Sequence, residues 1–150
     1  MELLQFTVPP MLHYIVSGYT VNAPGDRHVN RRNIEVFDLL FVTEGCLYIG
    51  EEERQYEVPQ GCALILRPDC YHYGAEACRE RTGYFWLHFQ TTGSWRTTDV
   101  MPQAGHPEKL DEAALSQIFT TRTFPLILSQ FVKVLHPGKM EETLRQLIQL

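Results

Sequence analysis

Apolar residues recur along the first ninety positions in short, strand-length runs broken by turn signals. Met11 to Val21 is rich in Ile, Val, Tyr and Thr and reads as a strand. Asn22 to Asn33 is a loop, with Pro24-Gly25-Asp26 as its turn. Ile34 to Thr43 is the strongest strand. Ile34, Val36, Leu40 and Val42 fall on one face and Phe37, Leu39 and Phe41 on the other, so both faces are apolar. Such a strand belongs in a sandwich or in a barrel with an outer cover. Glu44-Gly45 turns the chain, Cys46 to Gly50 extends, and Glu51-Glu52-Glu53-Arg54 reads as an exposed hairpin tip. Gln55 to Val58, Cys62 to Leu66, Tyr71 to Gly74 and Glu80 to Gln90 complete the series. Many short strands with regularly spaced turns predict an all-β sandwich or barrel.

The pattern changes afterwards. Residues 94 to 123 are mixed, with a short helix expected over Glu112 to Phe119. After His136-Pro137-Gly138, the residues Met140, Leu144, Leu147 and Ile148 recur at helical spacing and predict an amphipathic helix over 137–150. Its pattern reaches Leu150 without a stop signal, so the chain is expected to continue beyond it. At the other end, residues 1 to 10 close on Pro9-Pro10 and read as an extended arm, frayed unless something holds it. The barrel then occupies 11–136.

Length and charge narrow the function. The chain has 150 residues, enough for one domain. A net charge of −5 lacks the basic footprint of a nucleic-acid surface. No apolar run approaches the ~20 residues of a membrane span, and no leader is visible. The four cysteines, Cys46, Cys62, Cys70 and Cys78, form no CxxC pair and read as reduced thiols of a cytoplasmic protein.

Candidate chemistry concentrates at few positions. On the strand Tyr84-Phe85-Trp86-Leu87-His88-Phe89, the residues Tyr84, Trp86 and His88 share one face. They offer either a stacking surface with polar tips, suited to a sugar, or a set of core aromatics. Asp38 interrupts an aliphatic face and must be paired, protonated or turned to a wet cavity. Arg27, Arg31 and Arg32 precede that strand and either reach an anionic or hydroxylated effector or lie on the surface. His72 is a pocket group or a satisfied core histidine. The other histidines, His13, His28, His106 and His136, are scattered and carry no predicted role. No nucleophile constellation, phosphate loop or HExxH occurs, so no catalytic residue is predicted.

The run from Gly61 to His72 resembles the second motif of the cupin barrel: Gly, five residues, Pro, one residue, Gly, two residues, His. Arg67 and Asp69 stand where that motif has Pro and Gly, and Glu76 stands at its Asn. The positions of the first motif's metal ligands fall on Glu51, Glu53 and Glu57. These are acids at a predicted solvated turn, so the resemblance implies a cupin that has lost its metal, with no cofactor. Taken in order, FDLLFVTEG, YEVPQGCALILRPDCYHYG and GYFWLHFQTTG resemble the effector-binding and dimerisation domain of AraC-type transcriptional regulators. The resemblance implies a mainly β fold, a cupin-type double-stranded β-helix (jelly-roll) barrel followed by a C-terminal α-helix. It implies a small-molecule effector, carbohydrate among the candidates, bound by Trp86, Tyr84, His72, His88, Asp38 and an arginine such as Arg31 or Arg32. Pro10 would lie over the pocket mouth. Met140, Leu144, Leu147 and Ile148 would begin the seam of a homodimer. DNA would be bound only through a helix-turn-helix domain absent from this chain. The alternatives are a free-standing metal-dependent cupin enzyme, an isomerase or dioxygenase, and a carbohydrate-binding module.

Overall fold

The computed structural model describes residues 2–32, 34–101, 112 and 122–150, with the side chains of Arg31 and Arg32 outside that description. The chain divides into two compact units, Met1–Leu12 with Thr91–Ser129, and His13–Gln90 with Gln130–Leu150.

The larger unit is a two-sheet jelly roll. Its strands are β2 (His13–Asn22), β3 (Arg31–Arg32), β4 (Phe37–Glu44), β5 (Cys46–Glu51), β6 (Arg54–Pro59), β7 (Cys62–Leu66), β8 (Tyr71–Gly74), β9 (Thr82–Gln90) and β12 (Phe131–Lys133). Five of them form a sheet in the order β12-β7-β4-β9-β2, and four form a second in the order β3-β8-β5-β6. All the pairings are antiparallel. The expected mainly β jelly-roll barrel with a C-terminal helix is therefore the observed architecture.

The double-sided apolar pattern of β4 has a direct cause. Leu40 and Val42 point between the sheets, where they pack with Leu64, Leu66 and Tyr84 and with Leu47, Ile49 and Val58 of the second sheet. Phe41 points the opposite way and joins Ala63, Phe85 and Leu144 in a separate buried cluster. The turn from β4 into β5 rests on Gly45, whose φ of 76° suits glycine; a Cβ there would lie 2.5 Å from the Arg81 carbonyl.

Helix α1 (Pro137–Ile148) covers that outer face. Pro137 stands in its first turn, where the missing N–H costs nothing. Leu144 is 2% exposed, and Met140 and Leu147 pack beside it against Phe41, Ala63 and Phe85. The Arg145 guanidinium stands 5.3 Å from the Phe85 ring centre and 5.7 Å from that of Tyr19. So Leu144, expected at a dimer seam, is buried against the chain's own sheet, and Met140 and Leu147 are half-buried beside it. Ile148 alone among them stays 40% exposed.

The smaller unit holds β1 (Leu3–Val8), β10 (Trp95–Thr98) and β11 (Phe124–Ser129) in the order β10-β1-β11. The arm expected to be extended, and frayed unless held, is extended and held here. Both edges of β1 are hydrogen-bonded, and Leu4, Phe6 and Val8 are buried. The helix expected over Glu112 to Phe119 falls, apart from Glu112, outside the described residues.

Truncating Leu144 tests the helix's attachment. Leu144→Ala should cost about 2–5 kcal/mol in urea unfolding, whereas Ile148→Ala should cost about 0.5 kcal/mol or less. Equal, small losses would mean that the helix does not hold the sheet.

Candidate functional site

Strand β9 carries its side chains alternately to the two faces of the sheet. Phe85 and Leu87 lie under the helix. Tyr84, Trp86 and His88 line a cavity of about 300 Å³ in the larger unit, at the small end of the range for small-molecule sites. Asp38 joins them because β4 pairs with β9 in a register that sets Asp38 opposite His88 and Leu40 opposite Trp86. Thr20 and Asn22 enter from β2, and Arg27, His28 and Val29 from the loop that follows it.

The indole of Trp86 is fixed from two sides. Its Nε1 donates to Thr20 Oγ1 at 3.1 Å. Gly18, directly opposite on β2, leaves the space the ring needs, since a Cβ there would come within 2.4 Å of the indole. The His88 ring stands 5.2 Å from Trp86, tilted by 46°.

Asp38 is the most informative group. It is 5% exposed, and His88 Nε2 lies 3.6 Å from its Oδ1, too far for a hydrogen bond. That Oδ1 has no hydrogen-bond partner. A buried carboxylate oxygen without a donor is costly, and at a cavity wall a ligand hydroxyl or amine removes the cost. Arg27 donates only a long bond, 3.4 Å, to the Gly74 carbonyl, and among the described residues it has no carboxylate partner.

His72 is elsewhere. It is 1% exposed, and its Nε2–H donates to Glu51 Oε2 at 3.0 Å. The same oxygen accepts the Arg67 backbone N–H at 2.8 Å, and Oε1 accepts Gln130 Nε2 at 2.6 Å. Glu51, expected at a solvated tip, is 4% exposed. Only the end of the acidic run, Glu52 and Glu53, is exposed. The first-motif position thus holds a buried carboxylate whose oxygens serve three donors. Glu57 is exposed, and no group of three or more metal-ligating side chains occurs among the described residues.

The two departures in the second motif belong together. Arg67 Nε donates to Asp69 Oδ1 at 3.0 Å and Nη2 to Oδ2 at 2.8 Å. This fork clamps the turn across Pro68. Burial raises the Asp69 carboxyl, but the Arg67 hydrogen bond and charge outweigh it and hold the group below its usual range. Next to it, burial and then the Glu51 charge push the Cys70 thiol up to about 12.

Of the sequence-predicted site residues, Trp86, Tyr84, His88 and Asp38 therefore share one cavity, and His72 does not reach it. Arg31 and Arg32 pair through their backbones with His72 and Tyr71, but their side chains lie outside the described residues. Pro10 sits in the smaller unit beside Gly93. Thr20, Asn22, Val29 and His28 line the cavity without having been singled out. The small polar residues Gly18, Thr20 and Asn22 at alternate positions of β2 were the available signal.

The profile of the AraC-like ligand binding domain matches residues 13–149. Among curated proteins, the uncharacterized HTH-type transcriptional regulator YisR of Bacillus subtilis (strain 168) is 43% identical over 89 residues, covering 59% of this chain. The match spans 31% of that relative's length. Among solved structures, the plu4264 protein from Photorhabdus luminescens aligns with TM-score 0.45 at 14% identity, over 57% of this chain and 73% of its own. The Momordica charantia 7S globulin aligns with TM-score 0.35 at 10% identity, over 85% of this chain and 50% of its own. No helix among the described residues is long and apolar enough to cross a membrane.

Two outcomes follow from the buried polar groups. Glu51→Ala strands three buried donors and should cost about 3–5 kcal/mol in denaturant unfolding; a loss near zero would show the network to be idle. The raised Cys70 thiol contributes stability that is complete below its ordinary value of 9.0 and disappears as pH climbs towards about 12. Urea midpoints measured across that range should fall, and Cys70→Ala should flatten the fall; an unchanged slope would assign the loss to other groups.

Proposed function

The chain belongs to the family of AraC-like ligand-binding domains, and from that premise we propose that its task is to hold a small effector in the cavity around Trp86. The observation that carries this reading is the unpartnered Oδ1 of buried Asp38 in the wall of a cavity floored by aromatic rings. A carbohydrate suits it. Its C–H faces lie on the indole, and its hydroxyls donate to Asp38 and meet His88 and Asn22.

The regulatory half of the reading draws on the relative's being an HTH-type transcriptional regulator and on the share of that protein this chain matches. In this reading the domain senses the effector in the cytoplasm and biases a DNA-binding domain elsewhere in a longer chain. A ligand acts by binding one arrangement better than another, and the population moves by that difference. Pairing of two copies belongs to the same proposal. With Leu144 buried and Met140 and Leu147 half-buried against the sheet, Ile148, the 89% exposed Leu135 and the 93% exposed Leu150 are apolar groups near the helix that a partner would cover. The metal-dependent enzyme reading is weakened by Glu51, whose oxygens are engaged by His72, Gln130 and the Arg67 backbone.

Calorimetric titration of the chain with a panel of pentoses and hexoses tests the cavity. For any sugar that binds, Trp86→Ala should raise Kd by about tenfold or more, the loss of a stacked ring contact, in a protein that stays folded by circular dichroism. Unchanged affinity would remove the ligand from the indole.

A further inference from the structure

The polar groups around the cavity are not balanced. One carboxylate, Asp38, stands against three groups that carry or can take up positive charge: Arg27, His28 and His88. His88 is turned to Asp38 at 3.6 Å. His28 donates Nδ1–H to the Val29 carbonyl at 3.0 Å. Arg27 has no carboxylate partner among the described residues, and its side chain makes only the long contact to the Gly74 carbonyl there. An arginine left unpaired at the wall of a cavity, with most of its donors unused, is a recognition group for a carboxylate or phosphate.

Position along the cavity matters as much as sign. Asp38 is buried, whereas Arg27 is exposed. Charge is least costly to bind where it keeps some water, and neutral hydroxyls are better suited to the dry end. An anion pressed against Asp38 would be repelled; a hydroxyl there supplies the missing donor to Oδ1.

We infer that the effector is a polyhydroxylated anion, a sugar acid or sugar phosphate, with its hydroxyls towards Asp38 and Trp86 and its acidic group on Arg27. This rests on the reading of the cavity as the effector site and narrows its ligand class. A neutral sugar leaves the Arg27 fork unmatched. A purely aromatic acid leaves Asp38 Oδ1 without a donor.

The test titrates the whole chain with glucose, galactose and mannose, with their uronates, and with their 6-phosphates, at low and at physiological salt. At least one acidic form should bind about tenfold or more tighter than its parent hexose, the size expected of a charge-assisted bond. Arg27→Gln should erase that preference, and Arg27→Lys should restore part of it. Higher salt should reduce the preference. Uronates winning over phosphates, or the reverse, names the acid. Hexoses binding as tightly as their acids, with binding lost in Trp86→Ala, would overturn the anionic class and keep the cavity. An acidic form whose binding survives Trp86→Ala and Arg27→Gln would overturn both, as would binding by no member of the panel.

Discussion

The central constraint is the two-residue repeat of β9 between neighbours on both sides. β9 pairs with β4 along one edge and β2 along the other. Its odd-numbered Phe85 and Leu87 must then face the helix, and its even-numbered Tyr84, Trp86 and His88 must face inward. A slip by one residue would exchange the two sets and leave a cavity wall of phenylalanine and leucine. The cavity and the helix seat are thus opposite sides of one strand. The peptide units that carry Trp86 also carry Phe85 and Leu87, and Phe85 touches the cluster built on Leu144. Anything that displaces the indole bears on the helix seat across a single layer of backbone.

The second constraint is the buried carboxylate of Glu51. It ties the end of β5 to His72 on β8, to the Arg67 amide after β7 and to Gln130 before β12. These elements come from both sheets of the jelly roll, so the network joins the sheets at one end by hydrogen bonds where the aliphatic core gives out. The Arg67–Asp69 fork adjoins it and closes across the turn at Pro68, at the two positions where the sequence departs from the motif it resembles.

Much of this is legible in the sequence alone. Alternation along Tyr84 to Phe89 separates a wholly apolar face from one that is either a stacking surface or a set of core aromatics, and Asp38 stands out as an acid that has to be paired, protonated or turned to a wet cavity. The limits have physical causes. An acidic run looks like a hairpin tip, and nothing local reveals that Glu51, at its edge, meets three donors that are distant in sequence. The stripe Met140, Leu144 and Leu147 shows that a face is apolar but not which surface covers it. Arg27 and His28 reach the cavity through a loop whose path no periodicity encodes.

Gly18 bears on how such a site diversifies. It is not among the residues lining the cavity, yet it fixes where the indole rests. Adding a methyl group at that position forces the ring towards the empty space and shrinks it, while every contacting side chain keeps its identity. Closely similar chains with the same lining can therefore differ in what they admit, and a comparison confined to ligand-touching positions would score them as identical.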